Sequence, residues 1–96
     1  MSNELLKLAD DERIRQIAEH YGIKNQSMIA IEECSELQKA LCKRMRYGAE
    51  YDADVAEEIA DVLIMASQIA YLLKLEGEVV ANVDCKIRRQ MERMEQ

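Results

Sequence analysis

The chain has 96 residues, of which 49% are hydrophobic, and it contains three glycines and no proline, so a single all-α domain over residues 1–96 is expected. Its formal net charge of −6 disfavours binding to a nucleic-acid polymer, because contacts to a phosphate backbone require a basic surface. The longest apolar run, residues 59–73, is shorter than a membrane span and is interrupted by Asp61 and Gln68, so no membrane partner is expected.

Glycines divide the chain into four predicted helices, a number typical of a four-helix-bundle fold. The first helix begins at Asp10 or Asp11, since either side chain can cap it, and it ends at Gly22. Its apolar stripe consists of Ile14, Ile17, Ala18 and Tyr21. His20, the only histidine, is explained as a cation near the C-terminus of this helix, so no Ser/His/Asp nucleophile is expected.

The second predicted helix runs from about Asn25 to Arg46, just before Gly48. At about 100° per residue, Glu33 lies in the middle of an apolar arc of this helix, and Glu36 lies on the edge of the arc. The apolar members of the arc are Ile29, Leu37 and Ala40. Because a carboxylate is costly to bury without a compensating cation, this placement indicates a cation site.

The third predicted helix starts near residues 52–54, where Asp54 and Glu57 match a capping box, and it ends near Leu75, before Gly77. It is apolar on nearly every side, so it must be covered all round. We therefore expect a homodimer or homotetramer in which the second and third helices pack against their copies and complete the core.

Glu58 and Asp61 lie on the apolar face of the third predicted helix, one turn apart. Residues with this spacing are about 5–6 Å apart on one helix face, as are Glu33 and Glu36 on the second helix. If the two helices pack face to face, all four carboxylates meet at one point. Carboxylate oxygens favour Mg²⁺, with Mn²⁺ as the alternative, over zinc or copper. Magnesium with few protein ligands commonly binds phosphates of a substrate, so a polyphosphate is the expected partner.

The fourth predicted helix runs from Glu78 to near the end of the chain and carries a seven-residue apolar repeat. The repeat consists of Val80, Val83, Ile87, Met91 and Met94. Beside it lies a polar stripe of Asn82, Lys86, Arg89 and Arg93, which could hold phosphate groups. The alternative for this stripe is a solvated face paired with neighbouring glutamates.

Three cysteines, an odd number without CxxC spacing, indicate neither a zinc site nor a disulfide framework. We expect Cys34, Cys42 and Cys85 to be small buried hydrophobic residues in a reducing, cytoplasmic environment. No basic segment followed by a short apolar stretch opens the chain, so a secretory signal is not expected.

Two acidic motifs carry a resemblance to a known family. They are Ile31-Glu32-Glu33-Cys34-Ser35-Glu36-Leu37 and Glu57-Glu58-Ile59-Ala60-Asp61-Val62. Further matching residues are Tyr21-Gly22, Gln26 and Lys86-Ile87-Arg88-Arg89. On these residues the chain resembles the MazG-like branch of the all-α nucleoside triphosphate pyrophosphohydrolases. The two motifs together, in this order and at this separation, are more specific than either motif alone.

The resemblance implies hydrolysis of nucleoside triphosphates between the α and β phosphates by metal-activated water, giving a nucleoside monophosphate and pyrophosphate. It implies Mg²⁺ ligands at Glu33, Glu36, Glu58 and Asp61. It also implies phosphate contacts from Lys86 and Arg89 and a base or sugar contact from Gln26. Asn82 is added as a substrate-binding residue because it shares the stripe of Lys86 and Arg89. Glu32, outside the apolar arc, is either a solvated acid or a residue that orients the attacking water.

Three alternatives remain. A phosphoribosyl-ATP pyrophosphatase shares the acidic motifs, although the segments 22–26 and 86–89 favour the MazG-like branch. A ferritin-like di-metal bundle requires Glu-x-x-His motifs, and no histidine stands near either acidic motif. A non-enzymatic helical interaction module would use the apolar repeat of the fourth helix as its partner surface, but it does not explain Glu58 among apolar residues.

Overall fold

The computed structural model describes residues 4–96, with side chains described from residue 7 onward. The chain is all-α, and no β-strand occurs in this range. It comprises the helices α1 (Glu12–Tyr47), α2 (Asp52–Leu72) and α3 (Glu76–Met94), with 3-10 segments at Glu4–Asp10 and Ala49–Tyr51. None of the helices in the described range combines the length and the hydropathy needed to cross a bilayer.

Local backbone chemistry sets the bounds of α1 and confirms three predictions. Asp11 caps the helix, since its side chain accepts a hydrogen bond of 2.9 Å from the backbone N–H of Arg13. Gly22 breaks the helix with φ 83° and ψ 167°, a left-handed conformation that favours glycine. The helix resumes directly after Gly22, slightly before the predicted start near Asn25. At its other end the N–H of Gly48, with φ 103°, donates to the carbonyl of Arg44 at 2.9 Å.

The capping box predicted for the third helix is wrong. A 3-10 turn leads straight into α2, which begins at Asp52, within the predicted range 52–54. Asp54 therefore already lies in the first helical turn, and the N-cap residue Tyr51 makes no side-chain capping hydrogen bond. Asp52, at the start of the helix, is instead paired with the guanidinium of Arg44 across the turn. This pair ties the end of α1 to the start of α2.

The predicted boundary at Gly77 is also wrong. α2 ends at Leu72, and Lys74 takes the left-handed conformation with φ 58°. The backbone N–H of Leu75 then donates to the carbonyl of Ala70 at 2.9 Å, which satisfies one of the last carbonyls of α2. Gly77 lies within the first turn of α3, so a lysine provides the turn that the sequence assigned to glycine.

The core of the described chain lies mainly between α1 and α2, which pack antiparallel. Its buried residues on these helices are Ile14, Ala18, Gln26, Ala40, Met65, Gln68 and Ala70. Arg15 links this pair to the first 3-10 segment, because its Nε donates to the carbonyl of Ala9 at 3.1 Å and its guanidinium lies 5.1 Å from the centre of the Tyr71 ring. The Tyr71 hydroxyl donates to Glu19, which joins the far ends of the two helices.

In contrast, α3 has no buried residue among its 19. Its apolar repeat is largely exposed, with Ile87 and Met91 each 55% accessible and Met94 76% accessible. One copy of the chain buries only the faces that α1 and α2 turn towards each other, and it leaves α3 open. The four-helix bundle and the homo-oligomer therefore stay predictions.

The prediction that the cysteines are buried is wrong. Cys34, Cys42 and Cys85 are free and exposed. Their exposure depends on tertiary packing, which helical periodicity does not specify.

Candidate metal centre

Three carboxylates from two helices converge on one point. One oxygen each from Glu33 on α1 and from Glu58 and Asp61 on α2 lie within 4.8 Å of one another. All three side chains are half-buried. Two of them come from successive turns of α2, and the third faces them from the antiparallel helix, which is the arrangement that the apolar arcs predict.

The heptad spacing of the two helices places these acids. Glu33 lies seven residues after the buried Gln26 and seven before the buried Ala40, so all three share one face of α1. On α2, Asp61 lies seven residues before the buried Gln68. The acids thus occupy inward positions of a helix pair, one heptad away from its buried amides.

The electrostatics of the cluster are unfavourable for carboxylates alone. Burial raises the pKa of Glu33, and the charges of Asp61, Glu58 and Glu36 raise it further. Burial likewise raises the pKa of Glu58, followed by the charges of Asp61 and Glu36. Oε2 of Glu58 is buried and has no hydrogen-bond partner in the part of the chain that the structure describes. A buried acceptor without a donor, among other carboxylates, suits a hard cation.

Glu36, the fourth predicted ligand, lies at the edge of the cluster. Its Oε1 is 3.5 Å from Nζ of Lys39, and the carboxylate is not one of the three that converge. Its charge still acts on both Glu33 and Glu58. Of the four predicted ligands, the structure brings together three and keeps Glu36 beside them. Glu32 is exposed, on the flank where the sequence places it.

Gln26, predicted to contact a base or sugar, is only 3% exposed. Its Nε2 donates to Oε1 of Gln68 at 2.7 Å, and Nε2 of Gln68 lies 3.6 Å from the sulfur of Met65. Oε1 of Gln26 has no partner in the described part of the chain. Gln26 therefore faces α2 rather than an open surface, and its contact with a substrate stays a prediction.

The predicted phosphate contacts on α3 are exposed. Nδ2 of Asn82 donates to the carbonyl of Glu78 at 2.8 Å, within the helix itself. Lys86 and Arg89 are also exposed. No residue of α3 belongs to the three-acid cluster in the described range. Within the described part of the chain, neither Lys86 nor Arg89 forms an ion pair with an acid of the cluster.

A groove with a volume of about 760 Å³ adjoins the acid cluster. Glu36 and Glu58 line it from the cluster side, and Asp54 lines it from the first turn of α2. Lys39 and Lys43, one turn apart on α1, supply its positive charges. The sequence analysis did not identify these lysines as site residues. They follow Glu36 by three and seven residues, and this spacing could have predicted that they lie beside the predicted metal ligands.

Comparison with protein-family models, with curated proteins and with solved structures found no match for this chain. The resemblance to the MazG-like branch therefore rests on the residues of the two acidic motifs and their flanking segments.

Proposed function

We propose that the chain is a Mg²⁺-dependent nucleoside triphosphate pyrophosphohydrolase of the MazG-like kind, with Mn²⁺ as an alternative metal. The observation that carries the proposal is the convergence of Glu33, Glu58 and Asp61 within 4.8 Å. Like charges this close are unfavourable unless a cation lies between them, and Glu58 Oε2 offers a buried acceptor with no donor in the described chain.

The residues present fit a hard divalent cation. Glu33, Glu58 and Asp61 would hold it directly, and Glu36 would join them by leaving its 3.5 Å contact with Lys39. That contact is solvent-exposed and therefore contributes little to stability. When bound, Mg²⁺ supplies charge neutralisation for the phosphates and activates water.

The proposed reaction adds water across the anhydride between the α and β phosphates. The water oxygen forms a bond to the α phosphorus, and the bond from that phosphorus to the bridging oxygen breaks. Pyrophosphate leaves, the nucleoside monophosphate keeps the new oxygen, and the proton released passes to solvent. No side chain acts as the nucleophile in this scheme. The carboxylates orient the reacting groups, and Glu32, exposed beside Glu33, is assigned the orientation of the attacking water.

Homo-oligomerisation belongs to the same proposal. Large apolar side chains are exposed on α2 as well as α3, with Ile59 44% and Ile87 55% accessible. Assembly would cover these faces, and it is also what would bring Asn82, Lys86 and Arg89 to the acids. A dimer and a tetramer both satisfy this requirement.

The proposal is tested by incubating the protein with Mg²⁺ and a panel of nucleoside triphosphates that also includes phosphoribosyl-ATP. Pyrophosphate and a nucleoside monophosphate are the expected products. Orthophosphate would indicate cleavage at the γ phosphate and would contradict the proposal, as would the absence of turnover with every compound. Exclusive turnover of phosphoribosyl-ATP would favour that alternative enzyme at the same metal centre.

A non-enzymatic helical interaction module is the second candidate. The exposed apolar repeat of α3 favours it, because a helix with no buried residue needs a partner. It leaves the three converging carboxylates unexplained. Glu58→Gln and Glu57→Gln remove one charge each from neighbouring positions, and Glu57 is exposed outside the three-acid cluster. Loss of hydrolysis in the Glu58 variant alone would favour the enzyme, whereas the module predicts no hydrolysis in any variant.

A further inference from the structure

We infer that Lys39 and Lys43 form the subsite for the pyrophosphate half of the substrate, which comprises its β and γ phosphates. The inference rests on the proposed function and assigns a role to residues that the acidic motifs do not include. These lysines line the groove of about 760 Å³ that opens beside the acid cluster. A groove of this size is within the range of small-molecule sites.

The geometry of α1 aligns the lysines with the acids. Lys39 follows Glu36 by three residues and Lys43 follows it by seven, so all three lie on one face of the helix. Lys43 is therefore about 10 Å along the helix axis from Glu36. Because Glu36 and Glu58 border both the cluster and the groove, a substrate held at the acids can extend directly towards the two lysines.

The lysines are available for this contact. Nζ of Lys39 lies 3.5 Å from Glu36, and its side chain is 67% exposed, so exchanging this partner for a phosphate oxygen costs little. Lys43 is exposed and makes no hydrogen bond or ion pair with any residue between 7 and 96. A lysine ammonium is a compact charge with three donors, which suits the terminal oxygens of a polyphosphate.

The charge of the groove also specifies how the anion binds. Three carboxylates, from Glu36, Asp54 and Glu58, oppose the two lysines, so the groove repels a free anion. A divalent cation at the acid cluster reverses this balance, because the largest local charge then becomes positive. The subsite therefore takes pyrophosphate together with Mg²⁺ and not pyrophosphate alone.

Isothermal titration calorimetry with inorganic pyrophosphate tests the inference. The proteins compared are the wild type, the double variant Lys39→Gln/Lys43→Gln and the control Lys24→Gln, which removes an exposed charge from the same helix outside the groove. With Mg²⁺ present, the double variant should bind pyrophosphate at least about tenfold more weakly, while the control matches the wild type. Mg²⁺ alone should bind all three proteins without loss of affinity. Lys39→Arg/Lys43→Arg should recover most of the pyrophosphate affinity, since it keeps both charges.

A wrong subsite and a wrong proposed function give different results in this experiment. If the wild type binds Mg²⁺ and pyrophosphate but the double variant binds them equally well, the subsite is wrong while the proposed function stands. If the wild type binds neither Mg²⁺ nor Mg²⁺ with pyrophosphate, both are wrong. Failure of the arginine variant to recover affinity would also overturn the subsite, because charge would then not explain the loss.

Discussion

Gln26 of α1 donates a hydrogen bond of 2.7 Å to Gln68 of α2 inside the interface of the two helices. Seven residues separate Gln26 from Glu33, and seven separate Asp61 from Gln68, so the amide pair and the acids occupy successive levels of one antiparallel helix pair. A shift of either helix by one residue would break the hydrogen bond between the two side-chain amides. It would also move the acids off their common face. The buried amides therefore fix the register on which the proposed metal centre depends.

Gln68→Leu should lower the free energy of unfolding by about 1–3 kcal/mol, because it leaves the buried amide of Gln26 without its acceptor. Gln26→Leu/Gln68→Leu should recover a large part of that loss, since it removes both polar partners. Urea denaturation of the wild type, Gln26→Leu, Gln68→Leu and the double variant measures the coupling free energy between the two side chains. Purely additive losses would show that the hydrogen bond does not link the two side chains energetically.

Glu58→Gln and Asp61→Asn should each lower turnover of a nucleoside triphosphate at least about a hundredfold, since each removes a charge that holds the metal. Both variants should stay folded and be more stable than the wild type in the presence of a chelator, because neutralising one acid relieves repulsion in the cluster. Glu57→Gln is the matched control and should retain both activity and stability. Near-normal turnover of either cluster variant at saturating Mg²⁺ would contradict the proposed metal site.

The stability of the metal-free protein should depend on pH through Glu33 and Glu58. Both have a pKa raised above the ordinary value of 4.5, chiefly by burial, so the folded protein holds protons that the unfolded chain has lost. This contribution to stability is complete below pH 4.5 and is lost as the pH rises through the raised pKa values. Thermal melting with a chelator should show the decline, and Glu58→Gln should reduce it. Saturating Mg²⁺ should offset it, because the cation binds only the ionised cluster. An increase in stability over the same pH interval would show that neither burial nor the neighbouring charges disfavour the ionised forms of Glu33 and Glu58.

The melting temperature should rise with protein concentration, as mass action requires when folding and association are coupled. Ile87→Lys, in the exposed apolar repeat of α3, should weaken this dependence, since it places a charge in the expected interface. Ala81→Lys adds the same charge to α3 outside the repeat and should behave as the wild type. A folded monomer with a concentration-independent melting temperature, observed by analytical ultracentrifugation and calorimetry, would contradict the oligomer.

Residues with strong local preferences explain which features of the fold could be predicted from the sequence. Asp11 caps α1, and Gly22 and Gly48 adopt left-handed conformations, because these choices depend on the chemistry of one or two residues. The end of α2 could not be placed in the same way. Lys74 adopts a left-handed conformation there. Local preference alone favours the nearby Gly77 for such a turn, so it predicts the wrong residue.

The candidate site also has some features that could be predicted from the sequence and others that could not. Glu33, Glu58 and Asp61 could be placed together because helical periodicity assigns them to inward faces. The burial of Gln26 and the exposure of Cys42 could not be predicted, since each depends on how much of α1 is covered by α2. The groove lined by Lys39 and Lys43 likewise exists only once the two helices are packed.

The most direct test of the central claim is the position of attack, measured by hydrolysing a nucleoside triphosphate with Mg²⁺ in water enriched in ¹⁸O and locating the label by ³¹P NMR. The proposed geometry predicts one ¹⁸O atom in the nucleoside monophosphate and none in pyrophosphate, because water attacks the α phosphorus. Label in pyrophosphate would contradict attack at the α phosphorus, whereas label in orthophosphate, or no hydrolysis by the wild type, would contradict the assignment of Glu33, Glu58 and Asp61 to a pyrophosphohydrolase centre.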